Sequence, residues 1–175
     1  FPSESLQYLM GPLFILKFAS ATLTGYVYLH RYTKSRNTAL IGSVLYAFSG
    51  FSIYNIFFNH FHDATAFFPL MLLGFELLVQ QNKKGPFAVA VAICATISYF
   101  FFACEVVFVI IYFFLRCLDK DFEIDMKKFG LLILEAVIGV MISAVIFLPS
   151  ALSVMGNYRV NERLYGLDLV IYGEN

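Results

Sequence analysis

The sequence predicts an all-α, polytopic membrane helix bundle of about five to six membrane-embedded helices, one pair forming a helical hairpin. Three observations predict it. Hydrophobic residues make up 60% of the 175 and charged residues 14%, whereas soluble domains run at about a half and a quarter. Mean hydropathy is +0.77. Apolar runs of about 20 residues recur, each enough to cross roughly 30 Å of hydrocarbon. Residues 1–156 read as the bundle, part of a larger membrane domain, and 157–175 as the start of an extracytoplasmic segment. The chain opens at Phe1 rather than Met, which reads as a fragment.

The runs follow in order. Leu6 to Leu29 is broken only by Lys17, and Asn37 to Asn59 carries no charge. Ala64 to Val79 is apolar except for Glu76 and follows Asp63, a good helix N-cap. Phe129 to Val154 is apolar except for Glu135, with Pro149 near its end. These four are predicted as full spans. Phe87 to Leu115 is too long for one: at about 1.5 Å per residue it exceeds 40 Å. A turn near Ser98 to Ala103 makes it a hairpin. That turn also gathers Arg31, Lys34, Arg36, Lys83, Lys84, Arg116, Lys120, Lys127 and Lys128 on one side, which the positive-inside rule makes cytoplasmic. The other side then carries residues 1–8, the Asn59–Asp63 turn, the Tyr99–Phe102 tip and everything after Pro149, so any chemistry is expected there. Ala21 with Gly25, Ser43 with Ala47, and Gly139 with Ser143 have the spacing of close helix contacts in membranes.

Several classes are excluded. Net charge is zero, so no basic field points to nucleic acid. Cys94, Cys104 and Cys117 are isolated, without the spacing of a zinc site or disulfide framework. No P-loop, GxGxxG, HExxH or GxSxG pattern is present, and nothing supports a soluble nucleotide enzyme.

A charge in hydrocarbon costs several kcal/mol, so each one needs a reason. Lys17 shares a helical face with Ala21 and Gly25, which turns it into the bundle. It reads as a partner for an anionic phosphate or as half of a structural ion pair. Glu76 and Glu135 lie near the basic end, and snorkelling towards Lys83 or Lys128 accounts for them. Glu105 falls just past the hairpin tip, as a general base, a cation ligand or a charge reaching water. The turn Asn59-His60-Phe61-His62-Asp63 is the densest polar cluster. Asp63 there reads as a proton acceptor or a helix cap. His60 and His62 read as substrate ligands or as interfacial side chains; a divalent cation is a candidate cofactor, without a metal-ligand motif to hold it. Tyr99 at the tip and Arg159 beyond the last span complete the candidate substrate contacts, Arg159 as a bidentate phosphate ligand.

The order of these features resembles one family. Leu16-Lys17-Phe18 to Leu29-His30-Arg31 is similar to the "LK…aG…fyly" helix of bacterial YfhO-like membrane proteins, and Leu45-Tyr46-Ala47-Phe48-Ser49-Gly50-Phe51 to their "lYafsgf" stretch. His62-Asp63-Ala64, Pro69-Leu70 and Gly74-Phe75-Glu76 resemble "lDa…lPLi…GlE", and Ile97-Ser98-Tyr99-Phe100 the "sNyYf" turn. Phe147-Leu148-Pro149 with Arg159 fits the later "llP…R" element. His62 and Ser98 depart from the pattern, which more often has an apolar residue and Asn there. The resemblance implies a GT-C type glycosyltransferase. It would move a sugar from a polyprenyl-phosphate donor in the membrane lipid to a cell-surface polymer acceptor such as teichoic acid, outside the bacterial plasma membrane. The acidic residue general to GT-C enzymes would lie in a first outer loop preceding this chain. Asp63 and Glu105 would then serve acceptor activation as the catalytic pair, and Lys17 and Arg159 the leaving phosphate.

The rival reading is a multispanning transporter or lipid flippase with Lys17, Asp63 and Glu105 lining a path. For topology, a cysteine introduced at position 120 in a Cys-free background is expected to label from the same side as positions 34 and 84. Labelling of 120 only from the opposite side would make Phe87–Leu115 a single crossing.

Overall fold

The computed structural model describes residues 3–119, 122 and 124–156. Seven helices occur among them: α1 (Ser3–Leu29), α2 (Arg36–Ala47), α3 (Gly50–Tyr54), α4 (Phe61–Gln81), α5 (Pro86–Ile97), α6 (Tyr99–Cys117) and α7 (Met126–Met155). Four of them contain stretches long and apolar enough to cross a membrane: Tyr8–Leu29, Phe61–Gln81, Phe100–Cys117 and Met126–Ile146. The shorter apolar α5 lies among them.

The chain crosses back and forth. Arg31 just beyond α1 donates to Gln80 at the end of α4 (2.7 Å), and Arg116 near the end of α6 reaches Glu76 of α4. The ends of α1, α4 and α6 therefore share one side, the basic end. α5 runs back from it, and its partner in the hairpin, α6, returns. The turn is a single extended residue, Ser98 (φ −156°, ψ 112°), whose hydroxyl accepts from Phe101 N–H at 3.5 Å. That is the hairpin expected from the charge distribution. Tyr99 opens α6 at its tip. Arg159 and residues 157–175 lie outside the described residues.

The second predicted span is corrected. Asn37–Asn59 is not one helix: α2 stops at Ala47, Ser49 takes extended angles (φ −61°, ψ 160°), and only the five residues of α3 follow. The Ser49-Gly50 pair supplies the break, serine as an N-cap and glycine with little helix propensity. Hydropathy does not register it because no charge marks the place.

α4 and α5 form the centre. Met71, Phe75, Leu78 and Val79 of α4 are buried against Phe87, Ala90, Val91 and Cys94 of α5. Small residues permit this closeness. A Cβ on Gly74 would stand 2.8 Å from Phe87 Cα, and one on Gly139 of α7 would stand 2.6 Å from the Ala88 carbonyl oxygen. Gly25 of α1 meets Ser43 and Tyr46 of α2, and Ala21, Ala47 and Ala66 pack where α1, α2 and α4 meet. The small-residue pairs singled out in the sequence thus lie at helix contacts.

Phe87 lies level with Gly74, so α5 begins about 10 Å short of the basic end of α4. The chain gets there through Asn82 (φ 53°) and Gly85 (φ 100°), two positive-φ residues that reverse it tightly. The orphan N–H groups of the recessed helix end are met by Glu135 of α7. Its Oε1 accepts from Gly85 N–H at 2.7 Å and its Oε2 from Ala88 N–H at 3.2 Å. Glu76, fully buried, accepts from Arg116 through both oxygens (2.8 and 3.2 Å) and from the Tyr112 hydroxyl. Neither carboxylate snorkels to a lysine. Each has a protein partner that hydrocarbon cannot replace. Tyr112 also hydrogen-bonds Tyr28 and Tyr32 (3.0 Å each). Burial raises the pKa of the Tyr32 hydroxyl, in the turn beyond α1, and keeps it protonated.

Gly139→Leu is expected to cost roughly 1–3 kcal/mol of unfolding free energy by forcing α5 from α7, while Gly11→Ala, with nothing within 4 Å of its added Cβ, changes little. Glu135→Ala is expected to destabilise more than Glu135→Gln, which keeps one acceptor. Denaturant titration of the full-length protein in detergent measures all four.

Candidate functional site

Two interrupted segments end at the same depth and leave a recess at the start of α4. α2 breaks beside Phe48, which stacks on Phe18 of α1 (4.8 Å between rings). The α5–α6 turn brings Phe101 against Phe61, the first residue of α4 (4.8 Å). Phe51 of α3 lies edge-on to Phe101 at 6.3 Å. These aromatic rings make the rim.

Lys17 enters from α1. Its Nζ lies 2.8 Å from Asp63 Oδ1 and 2.9 Å from Oδ2, and donates to the Asn59 carbonyl oxygen at 2.9 Å. The small-residue face does turn it inward, as its spacing predicts. Lys17 lies 14 residues up α1 from Arg31, about 21 Å, and Asp63 lies 17 residues up α4 from Gln80, about 25 Å. In roughly 30 Å of hydrocarbon the pair therefore lies inside the far leaflet, a few ångströms from its surface. Side chains of the pair keep 18% and 27% exposure. Asp63 also occupies the first turn of α4, where the helix dipole favours its charge.

Glu105 approaches from α6. Asp63 and Glu105 line one small cavity together with Ala64, Phe67, Cys94 and Ser98. Cys94 lines the same cavity, and the Glu105 side chain is buried at 8% exposure. Its Oε2 is buried with no hydrogen bond among the described residues. The two carboxylates are thus differently served: one has a cation, the other none.

His62 is buried between Phe14 and Phe18, with its Nε2 2.9 Å from the Ser52 carbonyl oxygen. A carbonyl only accepts, so Nε2 is the donor in this contact. Nδ1 has no partner among the described residues. His62 ties α3 to α4 and stands in the wall of the site. His60 is exposed beside Phe58 and Phe61 on the outer rim. Lys17, Asp63, Glu105, His60 and His62 are therefore gathered at one end, with Tyr99 at the neighbouring turn. Ser98 and Cys94, which line the same cavity, carried no functional signal in the sequence. Among the described residues no three His, Cys, Asp or Glu side chains form a metal-binding group.

Spanning helices, interrupted crossings and a polar recess within the far leaflet define a polytopic helical membrane protein with a membrane-level site. The chain belongs to the YfhO family of bacterial membrane proteins, whose family model matches residues 1–166. It is similar to the Bacillus subtilis (strain 168) protein named uncharacterized protein YfhO, 27% identical over 154 residues. That match covers 83% of this chain and 17% of the relative, so the chain spans about a sixth of the relative's length. No solved structure matches.

Lys17→Met leaves Asp63 without its cation and is expected to cost roughly 1–3 kcal/mol of stability, moderated by the pair's partial exposure. Lys17→Met combined with Asp63→Asn is expected to recover part of that loss in the same denaturant titration; additive losses would show that the two side chains do not interact.

Proposed function

We propose that this chain is part of the membrane domain of a GT-C type glycosyltransferase in the bacterial plasma membrane. On this reading it moves a sugar from a polyprenyl-phosphate donor to a cell-surface polymer, such as teichoic acid, on the outer face. One observation carries the reading: two inequivalent carboxylates, Asp63 and Glu105, line one narrow gap at the end of the bundle away from the basic residues. Family membership and the resemblance of the motifs support it.

The transfer needs a base for the acceptor hydroxyl and positive charge for the departing phosphate. Asp63 is the more exposed carboxylate and lies against the Lys17 ammonium at the α4 terminus, and it is assigned the acceptor's proton. The acceptor oxygen bonds to the anomeric carbon as its proton passes to Asp63. The bond from that carbon to the phosphate oxygen breaks, and polyprenyl phosphate leaves with the electron pair. Protonation of Asp63 removes the counter-charge of Lys17, whose ammonium then faces the new phosphate charge. Arg159 is a second candidate for that phosphate. Glu105, without a cation, is suited to hold a sugar hydroxyl.

Asp63→Asn in the full-length protein is expected to lower polymer glycosylation about 100-fold at normal expression. Measuring the sugar content of the cell-surface polymer checks this. Unchanged glycosylation would reduce Asp63 to a helix-end charge, and would favour the transporter reading if movement of the lipid across the bilayer fell instead.

A further inference from the structure

Two long grooves run between the helices. One lies between α6 and α7 over α5 and is lined by Phe87, Val91, Val106, Val137, Met141 and other apolar side chains. No polar side chain faces it, so it offers contact with any hydrocarbon and selects nothing. The other lies between α2 and α6 with α4 as its floor. Its far-end part is lined by Ser49, Ala64, Cys104 and Glu105, its basic-end part by Gly25, Gly42, Leu45 and Leu72. The two parts join at Tyr46, Phe68 and Phe108, which line both.

This second groove has a direction. From Phe101 to Tyr112 of α6 it covers 11 residues, about 16 Å, or one leaflet of hydrocarbon. At its basic end the Tyr112 hydroxyl is committed to Glu76, Tyr28 and Tyr32. Midway, the Tyr46 hydroxyl donates to the Thr65 carbonyl oxygen at 2.8 Å. Among the described residues that line the groove, Glu105 at the far end is the one with a buried, unpartnered side-chain oxygen, Oε2. A buried acceptor at the end of an apolar channel calls for a hydrogen-bond donor at that depth, joined to a hydrocarbon chain.

We propose that the α2–α6 groove seats the hydrocarbon chain of the glycosylated lipid donor, with a sugar hydroxyl donating to Glu105. The inference rests on the transferase reading and adds the lipid's route: it enters sideways between α2 and α6, not between α6 and α7.

Photocrosslinking tests it. Benzoylphenylalanine replaces Leu45, Phe108 or, as the α6–α7 control, Met141 in the full-length protein. The protein is placed in phosphatidylglycerol vesicles with tritiated polyprenyl-phosphate hexoses and N-acetylhexosamines. Saturable labelling is expected from positions 45 and 108 and not from 141. Half-saturation is expected about tenfold lower for the cognate glycosylated lipid than for bare polyprenyl phosphate, the worth of one satisfied hydrogen bond. Glu105→Ala should abolish that difference, and Glu105→Gln, which keeps a carbonyl acceptor, should retain most of it. Should Glu105→Ala fail to fold, the comparison of glycosylated with bare lipid on the unaltered chain still decides. Equal labelling at 141, labelling that does not saturate, or equal affinity for both lipids would overturn the groove assignment. That failure alongside loss of glycosylation in Asp63→Asn would leave the transferase reading standing; saturable labelling without any sugar transfer would keep the groove and remove the transferase.

Discussion

The Glu135 carboxylate at the start of α5 is the contact on which the rest of this bundle depends. A helix start set back from the end of its neighbour leaves N–H groups that need partners from the protein. Glu135 reaches two of them from α7, and its negative charge meets the positive end of the helix. With that end secured, α5 can be short. Its 12 residues reach only to the depth of Asp63, so the turn at Ser98 falls beside the start of α4. The meeting of Glu105 with Asp63 follows from that length.

Irregular backbone at membrane depth is tolerated where it is enclosed by protein or lines a cavity. Here two irregularities occur at one level, the Phe48–Ser49 break and the Ser98 turn, and they flank the same helix terminus. The recess is the space between them. Its rim is aromatic because Phe18, Phe48, Phe51, Phe61 and Phe101 fill the gaps a continuous helix would have closed. Polar groups at this end are differently satisfied: Asp63 by Lys17 and the helix dipole, His62 by one backbone carbonyl, while Glu105 Oε2 has no partner among the described residues. The opposite end follows another logic. Glu76, Arg116, Tyr112, Tyr28 and Tyr32 saturate one another, and the Arg116 guanidinium also lies over the Phe122 ring (5.2 Å) and pairs with Asp119. One end is closed chemistry and the other open.

Much of the architecture is legible in the residues. α1, α4 and α7 follow from long apolar runs, and the hairpin from the length of Phe87–Leu115 together with the placement of basic residues. Lys17 turns inward because small residues share its face, which periodicity reveals. Its partner is not legible, since Asp63 lies 46 residues away and only packing brings it near. Glu76 and Glu135 mislead for the same reason: the nearest lysines in sequence are not the nearest donors in space. The helix break after Ala47 escapes a hydropathy reading because a broken apolar segment and an intact one have the same composition. Asp63 and Glu105 stand out as charges in apolar surroundings, but that only one of them has a cation depends on three helices meeting.

The brevity of α5 also bears on how the chain enters the bilayer during synthesis. A 12-residue apolar segment is below the length at which a lone helix partitions stably into lipid, and Glu135, which completes its N-terminus, is translated some 40 residues later. α5 therefore has no stable transmembrane state of its own while it leaves the ribosome. It enters with α6 as one folded-back unit, and its orientation is inherited from the flanking lysines and from α6. Assembly of α5 against its neighbours waits on α7.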